Sequence, residues 1–428
     1  MGLVETDILI VGGGFGGATA AKRLEKLLES SAERVQLVAP ENFLLFAPLL
    51  PEAAAGTIEP RHAVIPLREM LRRTSLLVGR VDEIDVTSRK AMVTDVAGGQ
   101  HYVVYRTLVL APGSVPTVLP IPGLAEHGVG FKTLADAIWL RNRILSQLEA
   151  ADATDSVARR RELLTFTFVG GGYAGVEAVA ELESFARDSL RNYPRLGAAD
   201  FRWVLVEARD SLLAGLDPRL ARYSERNLRR RGVHVYLDTT LESCVDRRVV
   251  LSNPGIPPFR SETIVWAAGQ RPSPLVAGLG LPTDRHGRLI VDDHLRVDGR
   301  DDLFAMGDAA AVPDPDGGMC PPTAQHALRQ AHLCARNVAA SYGVGTRAPF
   351  QYRNRGLAVT LGRSQGTAQV RQLTFTGPIA WWMGRSYHLI MMPGLARKAR
   401  VFTDWTISTA FPRDLSQLGA LGRPSPLE

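Results

Sequence analysis

Short apolar runs, each stopped by glycine, proline or a charged residue, recur along the chain with longer amphipathic stretches between them. Residues 8–11 (ILIV), 35–38 (VQLV), 107–111 (TLVLA), 164–169 (LTFTFV), 203–206 (WVLV), 264–268 (IVWAA) and 303–306 (LFAM) are too short for helices. Most lack the alternation of a half-exposed strand, so they predict strands buried on both faces. Residues 18–28, 176–191 and 324–340 read as helices. Thr133 with Asp136 makes a capping-box pattern ahead of a further helix that runs through Leu148. Asp217-Pro218 supplies an N-cap and a first-turn proline, and Gly232 a C′ glycine, for another. Residues 76–86 and 90–96 alternate, and Gly98-Gly99 turns the chain into 101–104, so this stretch predicts a small meander. Residues 233–237 read as one more strand. Strands alternating with helices in this way specify an α/β fold with parallel sheets.

Two of the runs end alike. Gly12, Gly14 and Gly17 follow the first, Gly170, Gly172 and Gly175 follow 164–169, and each G-x-G-x-x-G leads into a helix. In such a loop the first glycine turns tightly, the second lets a pyrophosphate reach the backbone, and the third lets helix and strand pack closely. The free N–H groups and positive dipole end of the helix then face the phosphate. Two framed loops imply two dinucleotide sites. Glu207 closes the 203–206 strand, where an acid accepts from a ribose 2′-hydroxyl and favours NAD; Arg209, two residues on, suits a 2′-phosphate instead. In the first half that place reads Ala39-Pro40-Glu41, so Glu41 is the nearest acid, at a displaced position. Pro112-Gly113-Ser114 breaks the 107–111 strand where the chain would pass a cofactor, and Gly269 ends another where a nicotinamide can lie against the backbone. Asp308, after Gly307, either accepts from the ribityl hydroxyls of a flavin or caps a helix. Pro321-Pro322-Thr323 enters the 324–340 helix, whose N-terminus would favour negative charge on a reduced ring. The proline-rich segment 42–71 fits a loop and short helix laid over a ligand, or plain core packing.

Composition narrows this reading. At 428 residues, 45% hydrophobic and 22% charged, the chain has material for two or three domains. Cys244, Cys320 and Cys334 show no C-x-x-C spacing, which argues against a disulfide framework or a zinc site and fits a reducing compartment; no metal is expected. The net charge of +6 comes without an aromatic-studded basic patch or a helix-turn-helix pattern, so no nucleic-acid partner is expected. Arg222, Arg226, Arg229, Arg230 and Arg231 read as a solvated helix face. The first strand begins almost at once, which leaves no room for a signal peptide, and export is not expected. Beyond Phe375 the apolar runs 379–383 and 389–392 are interrupted by Arg385 and Pro393, far short of the roughly 18 residues that span a bilayer. Trp381, Trp382 and Trp405 with Arg385, Arg397, Lys398 and Arg400 predict amphipathic helices lying in an interface; a dimer contact or domain packing gives the same composition.

Six stretches carry a resemblance across nearly the whole chain: VGGGFGG, NFLLFAPLLPEAAAGTIEP, FVGGGYAGVE, VWAAG, LFAMGDAAAVPDPDG and PPTAQHALRQ. The chain is similar to the type II NADH:quinone oxidoreductases, monotopic flavoproteins with the two-dinucleotide-domain fold of glutathione reductase. Related disulfide reductases lack the PLLPE segment and the PPTAQ helix start. The resemblance implies two Rossmann-like domains plus a C-terminal amphipathic membrane-association segment. The FAD domain would take residues 1–115 and 285–345, the NAD(H) domain 116–284, and the C-terminal domain 346–428. It places FAD at Gly12, Gly14, Phe15, Gly16, Gly17, Glu41, Asn42, Pro48, Val81, Ala111, Gly113, Gly307, Asp308 and Ala324. NADH would lie at Gly170, Gly172, Tyr173, Gly175, Glu177, Glu207, Ala268 and Gly269. Glu177 and Gln325 are the catalytic candidates, Glu177 beside the nicotinamide or delivering protons, or else a first-turn acid favoured by the helix dipole. Gln325, His326 and Arg329 would border the quinone, although His326 also reads as a helix-surface residue, and Arg329 stands where the family has a glutamine, with Gln330 next. The implied activity is ping-pong transfer from NADH to FAD and then to a membrane quinone, without proton pumping. The implied partners are NADH, quinone, an anionic membrane surface and a second copy in a homodimer, at the cytoplasmic face of the cell membrane as a peripheral protein. Two other readings are a sulfide:quinone oxidoreductase-like flavoenzyme using Cys320 and a flavin-binding redox sensor.

Overall fold

An apolar run with no polar face can only settle where both sides are covered. In the computed structural model, which describes residues 2–352 and 356–417, Ile8–Val11, Thr107–Leu110 and Leu303–Ala305 are buried at every position. Two units form, each from discontinuous stretches: residues 2–46, 64–115 and 270–352 make the first, and residues 47–63, 116–269 and 356–417 the second.

The first unit is built on an eight-stranded sheet. Ile8–Val11 lies in parallel between Val35–Ala39 and Thr107–Leu110, with Leu303–Ala305 beyond the latter. Ser75–Asp85 extends the parallel part and then turns back through antiparallel Lys90–Asp95 and Gln100–Val104, the expected meander. An unforeseen strand, Gly2–Glu5, pairs with Gln100–Val104 at the sheet edge. Helices Phe15–Leu27 and Ala324–Ser341 pack on each other. Both are rich in buried alanine, which lets two helix backbones come close. The first begins at Phe15 rather than at 18, because Gly16 and Gly17 belong to its opening turn and not to the loop.

The second unit holds a five-stranded parallel sheet in the order Gly128–Gly130, Thr263–Trp266, Thr165–Val169, Arg202–Val206, Val233–Tyr236. Phe166 stacks on Trp203 across two of these strands, ring centroids 4.5 Å apart and planes 17° apart. The capping box of Thr133 and Asp136 opens Leu134–Ala153, and the Asp217 side chain accepts from the Arg219 N–H at the start of Pro218–Arg230. A three-stranded antiparallel sheet (Gly356–Thr360, Gly366–Val370, Leu373–Thr376) and the helices Gly377–Met391 and Leu395–Ala410 complete this unit.

The borders differ from the expected 284/285 and 345/346. The first unit resumes at Gln270 and continues through residue 352, and residues 47–63 belong to the second. The short strands Phe43–Leu45 and Val64–Pro66 pair at the foot of that excursion, so the chain leaves and re-enters the first unit at one place. The excursion carries the short helix Leu50–Ala54, which packs on Leu134–Ala153 and Tyr173–Ser189. Among the described residues no helix is long and apolar enough to cross a membrane.

Candidate functional site

In the first unit the glycine loop is fixed by space. Gly12 has φ +108°, and a Cβ there would lie 2.1 Å from the Ala111 carbonyl oxygen; a Cβ on Gly17 would lie 1.9 Å from that of Gly12. Neither position admits a side chain. Nothing lies within 4 Å of a Cβ on Gly14, so the front of the loop is open. Gly14 caps Phe15–Leu27 without a side-chain bond and no acid stands in the first turn, which leaves the N–H groups and the dipole for an outside anion. Phe15 itself meets Phe46 edge-on, centroids 5.6 Å apart.

A cavity of about 530 Å³ opens beside the loop, with Val11, Gly12, Val38, Pro40, Val81, Pro112 and Pro274 among its walls. That volume and lining suit a nucleoside, and Val81, one of the residues expected at FAD, is on the wall. Glu41 is exposed and is not among the residues of this wall, where Pro40 stands. The carboxylates on the wall are Asp82 and Glu83 of Ser75–Asp85. Asp82 is engaged by the Thr94 hydroxyl at 2.5 Å and Arg80 at 2.7 Å, whereas Glu83 is exposed at the cavity wall. A bulge between Val81 and Glu83 sets this order, and strand alternation in the sequence gives no sign of it. Asn42 is exposed and its carbonyl accepts from the Leu67 N–H, while Pro48 lies in the turn Ala47–Leu49 of the second unit.

At the same, C-terminal end of these parallel strands, Gly113 and Gly307 both take positive φ (+71° and +69°). The Ser114 hydroxyl lies 2.6 Å from an Asp308 carboxylate oxygen and 2.7 Å from the Gln270 side-chain oxygen. Asp308 sits within the turn Gly307–Ala309, which has no side-chain cap, so its carboxylate is free of that role. Gln330 is buried and accepts from the Gly307 N–H at 2.8 Å, whereas Arg329 is exposed with its guanidinium 5.6 Å from the Tyr352 ring centre. The helix register therefore turns inward the glutamine one residue later than the family position. Gln325, on the first turn of Ala324–Ser341, accepts from the Tyr352 hydroxyl at 3.2 Å. His326 is buried, not on the helix surface: its ring stands edge-on to Tyr352, centroids 5.1 Å apart, with Nδ1 2.8 Å from the Thr323 hydroxyl. Burial pulls its pKa below the ordinary value. Asp314, Cys320 and His326 converge, their ligand atoms all within 4.8 Å of one another, although the cysteine spacing alone gave no hint of it. Cys244 and Cys334 are buried and unpaired.

The second unit repeats the loop. Gly170 has φ +114°, a Cβ on Gly175 would lie 1.9 Å from the Gly170 carbonyl oxygen, and Gly172 faces open space. Gly172 caps Tyr173–Ser189 with no side-chain bond. Glu207 accepts from the Gly171 N–H at 2.5 Å and the Arg209 N–H at 3.0 Å, so the loop holds the carboxylate it would share with a ribose. Ala268 leads into Gly269, at φ +71°. Glu177 lies beyond the first turn, since the helix starts at Tyr173, and a first-turn dipole role does not describe it. Its carboxylate accepts from the Thr360 N–H at 2.9 Å and the Thr360 hydroxyl at 3.3 Å. Desolvation pushes its pKa up to about 8 against these hydrogen bonds, with Glu181 and Glu52 adding to the rise. Burial likewise raises the Tyr173 phenol.

Sequence reasoning missed an ionic layer in the same unit. Glu52, from the PLLPE segment, is buried and accepts from Arg385 Nε at 3.0 Å and from the Trp405 indole. Arg385 lies 3.8 Å from the Trp381 ring centre and 4.8 Å from that of Trp405. Trp381, Trp405 and Arg385 are thus interior, because a buried carboxylate requires its cation and donors beside it. The large apolar residues of the two C-terminal helices that are more than half exposed are instead Ile379, Trp382, Ile390, Leu395, Phe402 and Ile407. The sequence shows one acid in PLLPE and one arginine inside an apolar run, but nothing local links the two.

Residues 6–331 match the family described as pyridine nucleotide-disulphide oxidoreductase. The type II NADH:quinone oxidoreductase Ndh of Mycobacterium tuberculosis is 30% identical over 415 residues, which cover 94% of this chain and 87% of that protein. Demethylphylloquinone reductase NdbB of Synechocystis is 30% identical over 410 residues, 93% of this chain and 95% of that one. The solved structure of NDH2 from Plasmodium falciparum in complex with NADH has the same fold, with a TM-score of 0.87 at 17% identity over 96% of this chain and 99% of that one.

Proposed function

The chain belongs to the pyridine nucleotide-disulphide oxidoreductases, and among them to the type II NADH:quinone oxidoreductases, and from that premise we propose how its own residues carry NADH oxidation and quinone reduction. The observation that carries the reading is the pair of glycine loops, each closed to side chains at the turn and open in front. Bound FAD supplies the two-electron chemistry that side chains lack, taking a hydride and reducing a quinone. Gly12, Gly14 and Gly17 with the N–H groups of Phe15 and Gly16 hold its pyrophosphate, Val81 and Glu83 its adenosine, and Asp308, oriented by Ser114, its ribityl hydroxyls. The start of Ala324–Ser341 presents N–H groups and positive dipole to negative charge on the ring.

Gly170, Gly172, Gly175 and Tyr173 receive the NADH pyrophosphate, and Glu207 accepts from the adenosine ribose, which favours NADH over NADPH. Glu177, protonated near neutral pH, holds a proton at its carboxyl for release during turnover. Gln325 and Arg329 orient the acceptor. We place the half-reactions in ping-pong order, with NAD+ leaving before the quinone enters. The exposed apolar residues of the C-terminal helices bind an anionic membrane surface as a peripheral contact on the cytoplasmic face, and a homodimer is the proposed assembly.

Anaerobic addition of NADH, NADPH or sulfide to the purified flavoprotein, followed by a short-chain quinone, tests the reading. Rapid bleaching by NADH and full recovery with quinone are expected. Bleaching by sulfide alone would transfer the function to the sulfur-oxidising reading and Cys320, and no bleaching by any donor would leave the redox sensor.

A further inference from the structure

We propose that Asp314, Cys320 and His326 form a binding site for a thiophilic divalent cation of the Zn2+ kind, and that its occupancy slows the quinone half-reaction. The three side chains come from two elements. Asp314 and Cys320 flank a tight turn in which the Asp314 N–H donates to the Gly318 carbonyl at 3.0 Å and the Gly317 N–H to the Asp314 carbonyl at 2.9 Å; His326 stands on the opening turn of Ala324–Ser341. Their candidate ligand atoms all lie within 4.8 Å of one another. Ligands around a tetrahedral zinc at about 2.0–2.3 Å sit some 3.5 Å apart, so closure about an ion takes a shift of order 1 Å. The turn can give it, since Gly317 and Gly318 have positive φ and open space around them.

The chemistry of the set is specific. A thiol, an imidazole and a carboxylate together select zinc-like ions over magnesium or calcium, which prefer oxygen alone. The outer partners of such a site are present. The Thr323 hydroxyl, 2.8 Å from His326 Nδ1, is the contact that fixes the ring's orientation when Nε2 binds the ion. The Asp316 N–H donates to one Asp314 oxygen at 2.9 Å and so orients the other. Cys320 and His326 are each 4% exposed, so a bound ion would be well shielded. Three protein ligands leave a fourth position open, the arrangement of a site that exchanges ions or water rather than one that only holds the fold.

The regulatory half of the proposal rests on the function proposed above. His326 follows Gln325 directly, and both belong to the helix start assigned to the ring and acceptor; an ion pinning His326 would fix that turn. NADH binding, assigned to the other glycine loop, would be untouched.

Equilibrium dialysis of chelator-treated holoenzyme with Zn2+ tests binding without reference to turnover. One tightly held ion per chain is expected, with affinity lowered about 100-fold or more in Cys320→Ala and Asp314→Asn and unchanged in Cys334→Ala, whose thiol is equally buried. Co2+ in place of Zn2+ should give a thiolate-to-cobalt band in the difference spectrum of the wild type that Cys320→Ala lacks. Wild-type binding no stronger than that of Cys320→Ala, or a cobalt band that survives this substitution, would overturn the site; Asp314→Asn serves if Cys320→Ala does not fold. In stopped flow, Zn2+ should slow flavin reoxidation by quinone and leave reduction by NADH unchanged. Zn2+ bound with no effect on reoxidation would overturn the regulatory half, whereas failure of NADH to bleach the flavin would strike the proposed function and leave the dialysis result standing.

Discussion

Glu177 sits on the second turn of Tyr173–Ser189 with its carboxyl desolvated and its pKa near 8, so at neutral pH the folded protein keeps a proton that the unfolded chain has released. Below about 4.5 both states are protonated and nothing is lost; between 4.5 and about 8 only the unfolded chain ionises, so stability falls as pH rises; above 8 the loss is complete. Glu177→Gln keeps an acceptor for Thr360 and removes the titration. Urea midpoints measured across this window should slope downward with pH in the wild type and be flatter in the variant, and the alkaline limb of the turnover profile should flatten too. The glycine loop gives a second contrast at this scale. Gly17→Ala would force a Cβ to 1.9 Å from the Gly12 carbonyl and should unfold the loop with the protein around it. Gly14→Ala meets nothing in the protein, so the apoprotein should keep its melting temperature while the flavin-to-protein ratio of the purified material falls.

Among the elements, the two glycine loops, the buried strands and the Thr133–Asp136 capping box were legible because each depends on neighbours in sequence. Glu83 and the Glu52–Arg385 pair were not. Glu83 reaches the cavity through a bulge, and Glu52 meets Arg385 across 333 positions of chain, so neither relation leaves a local pattern. His326 was misplaced for a similar reason: the face a helix buries depends on what packs against it, and Tyr352 was not in view. The Glu52–Arg385 contact joins the short helix Leu50–Ala54 to the two C-terminal helices, with both side chains about 5% exposed or less. Removing one partner from a buried pair leaves the other charge uncompensated, a cost of about 3–5 kcal/mol. Arg385→Met should therefore lower the melting temperature sharply, and Glu52→Gln with Arg385→Met should regain part of the loss. Equal melting temperatures for single and double variants would mean the two charges do not compensate each other.

At the scale of the whole molecule the question is what the C-terminal helices face. Cutting the chain before Phe375 cannot answer it, because that cut removes Trp381, Arg385 and Trp405 from an interior they help to fill. The exposed set is separable: Trp382, Ile390 and Phe402 are each more than half exposed, and replacing them with serine leaves the Glu52 contacts in place. Near them Arg397 and Lys398 donate to the carbonyls of Arg61 and Ile390 and Arg400 is exposed, a basic fringe worth about 1 kcal/mol per cation at an anionic bilayer. Apolar burial and this attraction act together, so neither alone need hold the protein on lipid. The wild type should float with vesicles containing anionic lipid and be released in part by high salt, and the triple serine variant should stay in the soluble fraction. With a short-chain quinone, which needs no membrane, the variant should turn over as the wild type does. A variant that still floats would mean that this face is not the lipid contact, and sedimentation of wild type against variant would then report whether a second copy covers it.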